Sequence, residues 1–154
     1  MAWSLKLKTM NTKPPVVVFD LDLTLADSRH REGLAQQAKW ADYVEQTAYD
    51  ELIQERWDML RKIHAKGISI IILTSRTNTP RMRELTTRWL HKHKIPFAAL
   101  LMRDRHTRPY KHKLDELMRL EQIYDIKLVI DDEFTTLDIC NYLNIPCKRV
   151  QTPN

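Results

Sequence analysis

Aspartates at positions 20 and 22 are separated by one leucine, followed by Leu23 and Thr24, and preceded by the apolar run VVVF. In extended chain, alternate residues point to the same side, so the two carboxylates should share a side and Leu21 and Leu23 the other. Carboxylates that close repel each other. A hard cation with oxygen ligands relieves the repulsion, and Mg²⁺ takes carboxylates together with substrate phosphate. A second acidic pair, Asp131-Asp132, follows another apolar run and can add ligands. One carboxylate can then attack phosphorus and form an acyl phosphate. The other can protonate the leaving oxygen and afterwards activate water. Thr74, Ser75 and Arg76 end a third apolar run, and residues 108–113 (RPYKHK) bring Lys111 and Lys113. Hydroxyls and a lysine would hold the charged phosphoryl oxygens.

These residues need elements that carry them to one place. The runs 16–21 (VVVFDL), 68–73 (ISIIIL), 97–102 and 127–130 (KLVI) read as strands buried on both faces, with a short last strand at 147–150. Helical spacing marks 50–66, which Gly67 should stop, and 112–121 and 135–143. Thr79-Pro80 is an N-cap with proline at the first helical position, opening a helix to about His93. Strands alternating with helices imply right-handed βαβ units and a parallel sheet. Ligands in such folds bind beyond the carboxyl ends of the strands. Asp20, Asp22, Thr24, Thr74, Ser75, Arg76, Asp131 and Asp132 all fall there. Lys113 is preferred over Lys111 as the phosphate lysine, because Leu117 and Leu120 follow it at helical spacing. Lys111 would turn Leu114 inward instead.

The segments VVVFDLDLTLADSRHR, IIILTSR, the lysine-bearing stretch and VIDD, in that order, resemble the four motifs of the haloacid dehalogenase-like phosphatases. The resemblance covers nearly the whole chain. It implies an α/β Rossmann-like three-layer sandwich with a mostly parallel sheet, one domain over 1–154, and a small helical cap region at 27–66. It also implies Asp20 as nucleophile and Asp22 as general acid/base. Thr74 would be the phosphate-binding hydroxyl, with Thr24 and Ser75 beside it, and a lysine the clamp. Mg²⁺ would be held by Asp20, Asp131, Asp132 and the backbone carbonyl of Asp22. The stretches LADSRHR, TSR, 83–90, LLMR at 100–103 and TRP before the lysine are similar to the phosphatase domain of phage polynucleotide kinase-phosphatase enzymes. That likeness implies Arg31 and Arg76 in the site and a nucleic-acid 3′-phosphate end as substrate. No GxxxxGK[ST] loop is present, so a free-standing phosphatase without the kinase half is expected. The chain departs from those relatives in three places. Leu23 and Ser75 stand where they carry glycine, and an aspartate shortly before the motif lysine is replaced by Pro109-Tyr110-Lys111.

At 154 residues, with 43% hydrophobic and 29% charged, the chain reads as one soluble domain with a real core. No apolar run nears the roughly 20 residues of a membrane span. The first 15 residues read as a tail rather than a signal peptide, and the expected compartment is the cytoplasm. A net charge of +5 suits a polyanion only weakly. Cys140 and Cys147 read as reduced, buried thiols. His91 and His93 belong to a helix end, and Trp40, Trp57 and Trp89 to the core or its margin. His30 lies between a structural and a site role. Two other functions compete: a 5′- or 3′-nucleotidase on small nucleotides, and a non-catalytic binding module on the same fold. The intact acidic and basic set argues against the module. The short cap region leaves an open site that tolerates a polymer.

Overall fold

The computed structural model describes residues 12–153. The stretch read as an N-terminal tail therefore lies, up to Asn11, outside the described residues. Strands β1 (Pro15–Phe19), β4 (Ser69–Thr77), β5 (Ala99–Arg103), β6 (Asp125–Asp131) and β7 (Cys147–Arg149) form one parallel sheet in the order β5-β4-β1-β6-β7. Helices α3 (Gln54–Ala65), α4 (Pro80–Lys92), α5 (Pro109–Ile123) and α6 (Phe134–Leu143) are the connections. The unbroken apolar character of β1 has a simple cause. Val17 and Phe19 pack with Ile70, Ile72, Leu60 and Trp89 on one face of the sheet. Val16 and Val18 pack with Ile71, Leu73, Leu117 and Ile139 on the other. Helices cover both faces, so neither side-chain row can be polar. This is the three-layer α/β architecture expected.

The helix starts follow their local signals. The Thr79 side chain accepts from the Met82 N–H at 3.2 Å, and Pro80 opens α4. Pro109 opens α5 three residues before the apolar spacing begins, because a proline costs nothing where the N–H is an orphan anyway. Gly67, with φ of 82°, follows the end of α3 and bonds back to the His64 carbonyl.

Three boundaries that bear on the site differ from expectation. The second strand, expected over 68–73, runs from Ser69 to Thr77, so Thr74, Ser75 and Arg76 belong to the end of β4 itself and not to a loop beyond it. β1 ends at Phe19, not Leu21. Asp20 N–H still bonds the Ile130 carbonyl, but the chain then turns, with Leu25 and Ala26 N–H both on the Leu21 carbonyl. Leu23 has a left-handed φ of 61° in this turn, at the position where the resembling family has glycine. A Cβ costs roughly 1–2 kcal/mol in that conformation. The helix expected over 50–66 begins only at Gln54. Its first residues instead form β3 (Glu51–Leu52), antiparallel to β2 (Ala26–Asp27). Between those two strands lie α1 (Glu32–Gln36), α2 (Trp40–Glu45) and two short 3₁₀ turns, Arg29–Arg31 and Gln46–Tyr49. Helix α3 returns to the sheet through Leu60, leaving the shorter helices to stand beside the site.

Candidate active site

The turn after β1 sends its two aspartates different ways. Asp20 is buried, and its carboxylate accepts from Thr24 Oγ1 at 3.1 Å and from Lys113 Nζ at 3.3 Å. Asp22 points into a second group. It accepts from Arg76 Nη2 at 2.7 Å and Arg31 Nη2 at 2.9 Å. The same-side arrangement expected from extended chain is thus replaced by two neighbouring clusters, because residues 21–26 form a turn.

The first cluster is acidic with one lysine. Oxygens of Asp20, Asp131 and Asp132 all lie within 4.8 Å of one another. Lys113, 3% exposed, reaches Asp131 at 2.7 Å. Thr136 Oγ1 and the Glu133 N–H also donate to Asp131. Burial drives the Asp20 carboxyl well above its ordinary value, and Asp131 and Asp132 add to that against the pull of Lys113. Burial likewise pushes Asp132 up, to about 6. Lys113 is held above its usual range: burial opposes its charge, but Asp20 and Asp131 outweigh it. Lys111 is not in the site. It lies exposed on α5 and pairs with Asp115 at 2.7 Å. The two lysines sit two residues apart and so cannot face one way on a helix.

The second cluster was only half legible. Arg31, fully buried, and Arg76 share two carboxylates, Asp22 and Asp50. Asp50 also faces His30 Nε2 at 2.8 Å. Arg76 is braced further by Thr86 Oγ1 at 3.0 Å. Burial would raise the Asp22 carboxyl, but Arg76 and Arg31 together hold it below its ordinary value. Asp50 carried no signal in the sequence. Its neighbours suggested a helix start, and only the fold shows that its buried carboxylate closes a network with Arg31, Arg76 and the partly exposed Asp22.

The remaining candidates fall close by. Thr74 is buried, its Oγ1 accepts from the Arg76 N–H, and its carbonyl accepts from His112 Nε2 at 2.9 Å. Ser75 Oγ is buried with no hydrogen-bond partner, as is one Asp132 oxygen. The Asp22 carboxylate is committed to arginines and lies outside the three-carboxylate group, so it is no side-chain metal ligand here. Trp89 is core, with Nε1 on the Asp50 carbonyl, and Trp57 is half-buried. Trp40 departs from expectation: it is 60% exposed, because α2 packs against the core through Tyr43 and Val44 instead. His91 stacks on Phe97 and His93 lies tilted against Trp89 at the end of α4, apart from the acidic group.

The acidic group suits a divalent cation on its own chemistry. Its donors are all carboxylate oxygens, one of them buried and unpartnered, and burial penalises their charge. Strand order, acidic group and buried lysine together are those of a haloacid dehalogenase-type phosphatase. A family model, the polynucleotide kinase PNKP phosphatase domain, matches residues 14–154, and the chain belongs to that family. Enzymes of this type generally use a divalent metal. Among solved structures, the chain is similar to one in the Pnkp1/Rnl/Hen1 complex, at 26% identity and a TM-score of 0.73 over 94% of this chain and 48% of that one. A structure of the Pnkp1/Rnl/Hen1 RNA repair complex matches at 26% and 0.73, over 90% of this chain and 42% of that one. The chain thus spans less than half the length of those two. The class C acid phosphatase from Bacillus anthracis with tungstate bound shares the fold at 18% identity and a TM-score of 0.71, over 98% of this chain and 72% of that one. No curated protein matches in sequence. No helix among the described residues is long and apolar enough to cross a membrane.

Proposed function

We propose that this phosphatase removes the phosphate from 3′-phosphorylated nucleic-acid ends through an aspartyl-phosphate on Asp20, with Mg²⁺ as its metal. The observation that carries the reading is the side-by-side placement of two clusters. One joins Asp20, Lys113 and Asp131, and the other joins Asp22, Arg31 and Arg76. Similarity to a chain of an RNA repair complex supports the choice of substrate.

In this reading an Asp20 oxygen attacks phosphorus, and the bond from phosphorus to the 3′ oxygen breaks. Asp22 gives that oxygen a proton. It then takes one from water, which attacks the phosphoaspartate and releases inorganic phosphate. Lys113, Arg31 and Arg76 neutralise the phosphoryl oxygens, with the Thr74 hydroxyl beside them. Asp20, Asp131, Asp132 and the Asp22 carbonyl would hold the cation, which when bound offsets the negative charge of the phosphoryl group. In the free protein the arginines keep Asp22 ionised. As the phosphoryl oxygens draw those guanidinium groups away, the Asp22 carboxylate takes up a proton from solvent, and that proton is the one it gives to the leaving oxygen.

The test is a substrate panel: 3′- and 5′-phosphorylated oligonucleotides, 3′- and 5′-mononucleotides and a sugar phosphate. Each is assayed after exhaustive chelation and after Mg²⁺ is restored. The 3′-phosphorylated oligomer should be hydrolysed best, and only with metal. Equal turnover of mononucleotide and oligomer favours a nucleotidase, and full activity without metal removes the mechanism.

The lysine assignment is tested separately. Lys113→Ala should cost most of the activity and lower stability, since removing one partner of a buried pair typically costs about 3–5 kcal/mol. Lys111→Ala removes only an exposed i,i+4 pair and should change stability by less than about 0.5 kcal/mol. Turnover and urea denaturation of the two variants give the comparison.

A further inference from the structure

One cavity of about 430 Å³ opens directly beside the second cluster. Its lining includes Asp22, Ser75, Arg76, Trp40, Tyr43 and Met82. The volume falls within the roughly 300–1,000 Å³ usual for small-ligand pockets. Its wall is mostly apolar, whereas the acidic cluster beyond Asp20 is wholly polar.

We propose that this cavity seats the terminal nucleoside, the one whose 3′ oxygen leaves, with its base stacked on Trp40. The inference rests on the 3′-end reading above and adds the part of the substrate that it leaves unplaced. The leaving oxygen must come within reach of the Asp22 carboxyl, so the group attached to that oxygen extends to the Asp22 side. The cavity that Asp22 lines is therefore the leaving group's cavity. Its mostly apolar wall with an exposed indole fits a nucleoside and not a bare sugar. Trp40 presents a 60% exposed indole, set edge-on to Tyr43 with ring centroids 6.0 Å apart. The Tyr43 ring is itself held by the Arg31 guanidinium, 4.5 Å from its centroid. An exposed ring fixed by a braced neighbour is a stacking platform that loses little freedom when a base arrives.

The experiment compares two ends that differ only in the base. One is a 3′-phosphorylated oligonucleotide. The other is the same oligomer with an abasic terminal residue that keeps its sugar and 3′-phosphate. A 5′-phosphorylated oligomer is included. The wild-type protein should prefer the base-bearing 3′ end by roughly 5- to 100-fold in kcat/KM, the effect of one stacked base. Trp40→Ala should bring that ratio close to one, and Trp40→Phe should restore most of it. An exposed position on a short helix is suited to such changes, and the ratio within each variant cancels any loss of folded protein. Equal use of both 3′ ends by the wild-type protein overturns the stacking site and leaves the 3′-end reading standing. So does a ratio unchanged in Trp40→Ala. Hydrolysis of the 5′ end with neither 3′ end touched overturns the 3′-end reading and the stacking site with it.

Discussion

Asp20→Asn should abolish phosphoenzyme and lower turnover by roughly 10⁴-fold or more, because it closes the covalent route itself. The same change should not lower stability. Asp20 is one of three crowded carboxyls, and burial already disfavours its charge. Lys113 keeps its shorter contact, 2.7 Å to Asp131, when Asp20 becomes neutral. Thr24 keeps an amide oxygen to donate to. Thermal unfolding of the metal-free variant should therefore show a Tm equal to or above that of the wild-type protein. A group that weakens the fold where it carries the chemistry is the trade expected of a functional site. Turnover near the wild-type rate would remove Asp20 as the nucleophile. Lost activity with a large fall in Tm would show that Asp20 holds the fold together instead. Asp22→Asn is a milder comparison. Losing a positioned proton donor typically costs about 10²–10⁴-fold.

What could be read from the sequence was whatever has a local cause. The buried strands were legible because both sheet faces are covered, which leaves continuous apolar runs such as VVVF and ISIIIL. Helix α4 was legible because its cap and its proline are adjacent residues. The end of β1 was not, since DLD continues the strand pattern. It is the turn through Leu23, in a conformation that leucine rarely adopts, that separates Asp20 from Asp22. Lys113 could be preferred over Lys111 on helix periodicity alone, because the two residues face different ways on one helix. Asp50 could not be found at all. Its partners Arg31 and Arg76 come from segments 19 and 26 residues away, and nothing in its neighbours marks a buried carboxylate. Trp40 was assigned to the core or its margin because a tryptophan at helical spacing normally belongs there. Helix α2, six residues long, turns Tyr43 and Val44 to the core and leaves Trp40, its first residue, exposed.

The network around Asp50 makes the second large prediction. Asp50→Asn should destabilise the protein by about 3–5 kcal/mol, the usual cost of breaking a buried ion pair from one side. That is a large share of a total stability of roughly 5–15 kcal/mol. The cause is specific. Arg31 is fully buried, and one of its terminal nitrogens already lacks a partner. With Asp50 neutral, Arg31 and Arg76 have only Asp22 between them. The Trp89 contact is unaffected, because it uses the Asp50 backbone carbonyl. Activity should fall as well, by tenfold or more in kcat/KM. The two guanidinium groups then crowd onto Asp22, and only the Thr86 hydroxyl on Arg76 is left to place them when the phosphoryl group arrives. A second substitution separates the two effects. Arg31→Met in the Asp50→Asn background removes the uncompensated charge and should recover part of the lost stability, while activity stays low because a phosphate ligand has gone. Urea denaturation of the single and double variants, with kcat/KM on the 3′-phosphorylated oligomer, measures both. If Asp50→Asn unfolds at the wild-type urea concentration, the arginines are not held by charge, and the order of the second cluster has another source. If the double variant regains activity along with stability, Arg31 braces the fold and does not bind phosphate.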